Sequence, residues 1–166
     1  MANQNIEQHF KAILGGIGDS LRAYGFTKRA NAYRHVGSGN AAIVEVQRSQ
    51  ASSGEIIRFT LNLGVVSGTL LDEHDPDISK VGLLHAHLRE RIGAFLPERP
   101  DNWWDLRSTS DPDGLVAEIA PLLNLGARFL LDHMGDAQLT ALWETGQSPG
   151  LTDLQRQRYL RDLKAA

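Results

Sequence analysis

Ile6, Phe10, Ile13, Ile17, Leu21 and Tyr24 recur at steps of three and four, the spacing of an amphipathic helix with one buried face. Asn3 or Asn5 would cap that helix. Gly15, Gly16 and Gly18 fall inside it, where each costs about 1 kcal/mol against alanine. Close packing against a sheet accounts for them better than a phosphate loop, since no strand precedes them and no Gly-Lys-Ser/Thr follows. After Gly25 the period changes to two, predicting strands over about 27–36, Ala41 to Arg48 and Ile56 to Val65. Gly37 to Asn40 and Ser49 to Glu55 supply turn chemistry, and connections this short make antiparallel hairpins.

Alternation divides those strands into two faces. Val44, Val46, Ile57, Phe59, Leu61 and Leu63 should meet the first helix, leaving Glu45, Gln47, Ser49, Arg58, Thr60 and Asn62 on the other side. Amides in mid-strand run against β propensity. Glu45, Gln47, Arg58, Thr60 and Asn62 are therefore the candidate ligand or partner site, for which Trp103 and Trp104 should supply an apolar wall.

The second half reads as mostly helical. An irregular acidic stretch from Leu70 to Lys80 precedes an expected helix whose buried stripe is Leu84, Leu88, Ile92 and Phe95. Arg91 lies within that stripe and His87 at its edge, so Arg91 should be buried and paired, with Asp105 as its expected partner. His87, Arg91 and Asp105 would form a structural polar cluster. Pro97 and Pro100 end the element, and Trp103 to Arg107 reads as extended, which sends the two tryptophans to opposite sides. Asp111-Pro112 opens a further helix, Pro121 should break or kink it, and helix resumes to His133. Asp136 should cap a short helix through Trp143, Gly146 to Gly150 resembles a hinge, and Thr152 with Gln155 gives the last helix a capping box. The class is α+β, with residues 1–145 one domain and 146–166 a hinge and helix appended to it.

Composition narrows the chemistry. The 166 residues are 42% hydrophobic, enough for one sizeable core. The formal charge of −3, from 17 basic and 20 acidic residues, gives no whole-chain field toward nucleic acid or an anionic membrane. The sequence has no cysteine, which excludes disulfides, thiolate catalysis and cysteine-ligated metals. Neither the N-terminus nor the apolar stretch Leu122 to Met134 reads as a leader or anchor, the latter being interrupted by Asn124, Arg128, Asp132 and His133, so a cytoplasmic location is expected.

The acidic run around His74 lacks the spacing of a calcium loop. On a helix, His85 and His87 would not face one another, so no metal pair is expected. Arg156, Arg158, Arg161 and Lys164 suit the C-terminal macrodipole of the last helix, and no nucleic-acid reader motif accompanies them. Ser49, Ser52 and Ser53 are ordinary turn residues without a nucleophile elbow. No cofactor is expected.

Gly25-Phe26-Thr27-Lys28-Arg29, Tyr33, Val46-Gln47-Arg48-Ser49 and Phe59-Thr60-Leu61-Asn62-Leu63-Gly64 occur in order, followed by His87 to Gly93, Leu96-Pro97-Glu98 and Asp101-Asn102-Trp103-Trp104. This succession resembles the bacterial domain of unknown function 4304 family over roughly residues 10 to 135. The resemblance implies an N-terminal helix, a small curved antiparallel sheet and trailing helices, and implies no activity. The expected function is a non-enzymatic binding module, its partner another protein, in an accessory or immunity-type role. The alternative is an enzyme or binder acting on a small polar ligand, with Glu45 as general base and Arg58 as anion clamp.

Overall fold

The computed structural model describes residues 2–147 and 149–166, the side chains of residues 2 and 3 excepted. Helix α1 (Ala2–Arg22) buries Ile6, Ile13, Ile17 and Leu21 on one face, as their spacing requires. Asn3 and Asn5 are both helical residues of α1, so neither occupies the position ahead of the helix. Gly25, at φ 81°, closes the helix end by donating its N–H to the Arg22 carbonyl. The three glycines of α1 have different settings. A Cβ on Gly16 would lie 2.6 Å from Val116, one on Gly18 would press on Tyr33 of the sheet, and Gly15 faces open space. Only Gly18 fits the expected packing against the sheet.

The sheet has six antiparallel strands: β1 (Thr27–Arg29), β2 (Ala32–Gly37), β3 (Asn40–Arg48), β4 (Ile56–Ser67), β5 (Leu88–Arg91) and β6 (Trp104–Arg107). They run in the order β1-β2-β3-β4-β5, with β6 also paired to β4. The stretch expected as one strand over 27–36 is two, because Ala30 at φ 55° folds the chain into a hairpin that pairs Arg29 with Ala32. Between β3 and β4 the register is Val44↔Leu63, Glu45↔Asn62, Val46↔Leu61 and Gln47↔Thr60. Val44, Val46, Ile57, Phe59, Leu61 and Leu63 therefore share the inner face and form one core with α1 and the later helices.

No helix forms over Leu84 to Phe95. Leu83–His85 and Ile92–Phe95 are single 3₁₀ turns on either side of β5, and Leu84 is 83% exposed. Leu88, Ile92 and Phe95 do reach the main core, but from a strand and a 3₁₀ turn, and Leu84 is left in solvent, so their helical spacing is coincidental. Pairing with β4 satisfies main-chain groups that β4 would otherwise leave bare along Asn62 to Val65. That gain overrides the local pattern.

Chain 70–86 covers one half of the sheet's outer face. Val81 and Ala86 close a second, smaller core with Ala41, Ile43 and Val66. Gly64 permits this, because a Cβ there would stand 2.7 Å from Leu83 and 2.8 Å from Ala86. The other half of the outer face, around Gln47, Arg58 and Asn62, is uncovered by this segment.

Helix α2 (Pro112–Asp132) starts as expected, with the Asp111 carboxylate accepting from the Asp113 N–H, but it runs through Pro121 without a break. By length and composition it is apolar enough to cross a membrane. In this fold Ile119, Leu123, Ala127 and Leu130 are core residues of the packed domain. Helix α3 (Asp136–Glu144) has Gly135 at its N-cap, so Asp136 is not the cap. Helix α4 (Asp153–Ala165) carries the expected Thr152–Gln155 capping box. Of the expected hinge, Ser148 lies outside the described residues.

Candidate functional site

Strand register sets the outer face. Glu45, Asn62 and Arg91 lie side by side across β3, β4 and β5, while Gln47 faces Thr60 and Arg58 faces Asp105. Asn62 Nδ2 donates to Gln47 Oε1 at 2.7 Å. Arg58 is held by Asp105 at 3.1 Å, both half exposed. Thr60 is fully buried, and its hydroxyl donates to the Asn102 carbonyl at 2.6 Å, tying down the loop that joins β5 to β6.

Arg91 is 45% exposed and pairs with Asp101 at 2.7 Å, correcting both its expected burial and its expected partner Asp105. Its guanidinium lies 5.6 Å from the centre of the Trp103 ring. Trp103 donates its indole N–H to the other Asp101 oxygen at 3.1 Å. The hydrogen bonds from Trp103 and Arg91 hold the Asp101 carboxyl below its usual range. Trp104 points the other way, only 5% exposed, stacked 5.7 Å from Phe59.

His87 stands in a different place from Arg91. Its Nδ1 accepts the Ser67 N–H at 3.1 Å and its ring abuts Tyr159 of α4 edge-on at 5.0 Å. His87, Arg91 and Asp105 are thus three separate settings and not one cluster. Around His87, Asp136 accepts from Ser67 Oγ (2.7 Å), Asn40 Nδ2 (2.9 Å) and Thr69 Oγ1 (2.7 Å). Burial alone would raise the Asp136 carboxyl, yet these hydrogen bonds keep it below its usual value. Burial pushes His87 down to about 4 against the opposing pull of Asp75 and Asp136.

A groove of about 640 Å³ runs along β5. Arg89, Glu90 and Arg91 line it in succession, from Leu83 and Gly150 at one end to Arg99, Pro100 and Asp101 at the other, with Asn62 and Leu63 beside them. Successive strand residues point to opposite faces, so three in a row lining one cavity place it at the strand's edge. Arg99 donates to Glu90 at 2.9 Å, from a bend in which Glu98 and Arg99 both have positive φ, 65° and 51°. Glu45 and Gln47 line a separate recess of about 430 Å³ with Phe10, Leu14 and Asn31. Of the five sheet-face candidates, Asn62 alone borders the groove, joined to the recess through its bond to Gln47.

Arg89, Glu90, Arg99 and Asp101 were not singled out in the sequence. The signal was Arg89-x-Arg91, which at a strand's period places two guanidiniums on one side. Ser49, Ser52 and Ser53 spend their hydroxyls on turn backbone groups of residues 51 to 58. Among the described residues, no group of three or more His, Asp or Glu side chains is placed to hold a metal.

The model of the family described as Domain of unknown function (DUF4304) matches residues 17–133. No curated protein and no solved structure matches the chain.

Proposed function

The chain belongs to the DUF4304 family, and we propose that it is a non-enzymatic binding module whose partner is another protein, in an accessory or immunity-type role. The observation that carries this reading is the exposed Arg91 guanidinium over Trp103, both held by Asp101 at the end of the β5 groove. Tryptophan and arginine dominate the energetics of protein interfaces, and here they are fixed in advance by a shared carboxylate. The half-exposed side chains of Gln47 and Asn62 on the outer face would supply the polar rim.

A second reading is a small polar ligand, favoured by the groove volume of about 640 Å³, which lies in the usual range of small-molecule sites. Photo-crosslinking decides between them. A benzoylphenylalanine at Glu98, on the bend beside the groove, should give a discrete protein adduct in cells, and the same group at Lys11 on α1 should not. Trp103→Ala should abolish the Glu98 adduct. Absence of any adduct at Glu98, or one indifferent to Trp103→Ala, would count against a protein partner at this surface.

A further inference from the structure

The β5 groove has a wall of main chain as well as side chains, and we infer that it receives an extended acidic segment of the partner as an added strand on the edge of β5. The inference rests on the protein-binding reading above.

Main-chain geometry is the first support. The Arg89 N–H donates to the Pro149 carbonyl at 3.3 Å, so this edge of β5 points away from β4 and already pairs with main chain at one end. Arg91, two residues on, directs its N–H the same way. Its acceptor is no carbonyl but the neighbouring Glu90 carboxylate, at 3.3 Å. That carboxylate stands where the carbonyl of an added strand would stand, and its other oxygen is held by Arg99. An incoming carbonyl takes the Arg91 N–H and releases Glu90, which is strand addition by replacement of a side-chain stand-in.

Charge is the second support. The groove brings Arg89, Arg91 and Arg99 against two carboxylates, Glu90 and Asp101. The Arg89 guanidinium is held by the carbonyls of Leu84 (2.7 Å) and Ala86 (3.3 Å), and among the described residues no carboxylate pairs with it. A net positive groove complements an acidic segment. Arg89 and Arg91 share the outer face, while Leu63 and Ala94 line the groove among its apolar residues. An added strand alternates its side chains, so the segment should read acidic, apolar, acidic.

The test is selection of an mRNA-displayed random octapeptide library on the full chain, followed by synthesis of the enriched peptides. Enrichment of alternating acidic and apolar residues is expected, with affinity falling at least about tenfold for Arg91→Ala and for Arg89→Ala. Because those variants could disturb folding, each peptide amide is also N-methylated in turn, which leaves the protein untouched. Loss of binding at alternate amides supports strand addition. Equal tolerance at every amide overturns it, as do peptides without acidic alternation, no enrichment, or competition by free citrate at the peptides' own affinity. A Glu98 crosslink that persists when no peptide is enriched leaves the protein-binding reading standing and removes this one alone.

Discussion

Trp103 and Trp104 are neighbours in the chain and opposites in the structure. Trp104 is enclosed by Phe59 and donates to Glu118, whereas Trp103 lies over Arg91 beside the groove. Trp104→Ala should cost about 3 to 5 kcal/mol, and Trp103→Ala less than about 1 kcal/mol, as read by urea unfolding. Equal losses would mean that the two indoles share one environment. This division was legible in the sequence, because an extended segment must alternate whatever it packs against. The partner of Arg91 was not legible. A helix wheel put Arg91 in the core, and only the β4–β5 register brings Asp101 to it. Glu98 makes a further residue-scale case. Its φ of 65° disfavours any side chain, so Glu98→Gly should stabilise the fold by up to about 1 kcal/mol. An unchanged or lowered denaturation midpoint would show that the bend is not strained.

The elements that sequence revealed are those whose period and tertiary role agree. In α1 the apolar spacing matches the buried face, and in β3 and β4 the alternation matches the register. In β5 they conflict: four residues are too few to show a period, and pairing to β4 outweighs a chance helical spacing. The groove of the candidate site is hidden in the sequence for the same reason, since it is built on β5. Tyr33 illustrates how α1 is fastened to the sheet. Its hydroxyl donates to the Leu14 carbonyl at 2.6 Å inside the core. Because Leu14 lies inside α1, Tyr33→Phe removes a second donor from a carbonyl that the helix already satisfies, and it should cost about 1 kcal/mol. Burial, and then Asp19, push the phenol up to about 12. The folded state favours the protonated form, so its contribution is complete below the ordinary tyrosine value of about 10 and is lost as pH rises toward about 12. Thermal melts across that window should therefore fall more steeply for the parent chain than for Tyr33→Phe. Parallel curves would remove Tyr33 as the cause.

At the scale of the whole molecule, helix α4 is fastened to the rest of the fold, with Leu163 in the main core. Arg156 donates to the Trp143 carbonyl at 2.9 Å, Lys164 pairs with Glu144 at 2.6 Å, and Tyr159 lies against both Trp143 and His87. Helix α4 thus covers the fully buried Trp143 and helps to keep water from His87. His87 gives this cover a measurable signature. Its folded value of about 4 lies below the ordinary histidine value of about 6.5, so the unfolded chain takes up the proton first on acidification. Stability is complete above about 6.5 and falls as pH drops toward about 4, by an amount on the order of 3 kcal/mol. A chain ending at Gly146 loses Tyr159, which exposes the His87 ring and returns its pKa toward the ordinary value. Two changes should then appear together in urea unfolding between about pH 7 and about pH 4.5. The truncated chain should be less stable at neutral pH, because Trp143 is uncovered, and its stability should fall less on acidification than that of the parent. His87→Gln in the full chain should flatten the same slope while leaving α4 in place. If truncation lowers neither the neutral stability nor the acid slope, α4 is a separable appendage and His87 is shielded by the sheet and the 70–86 segment alone.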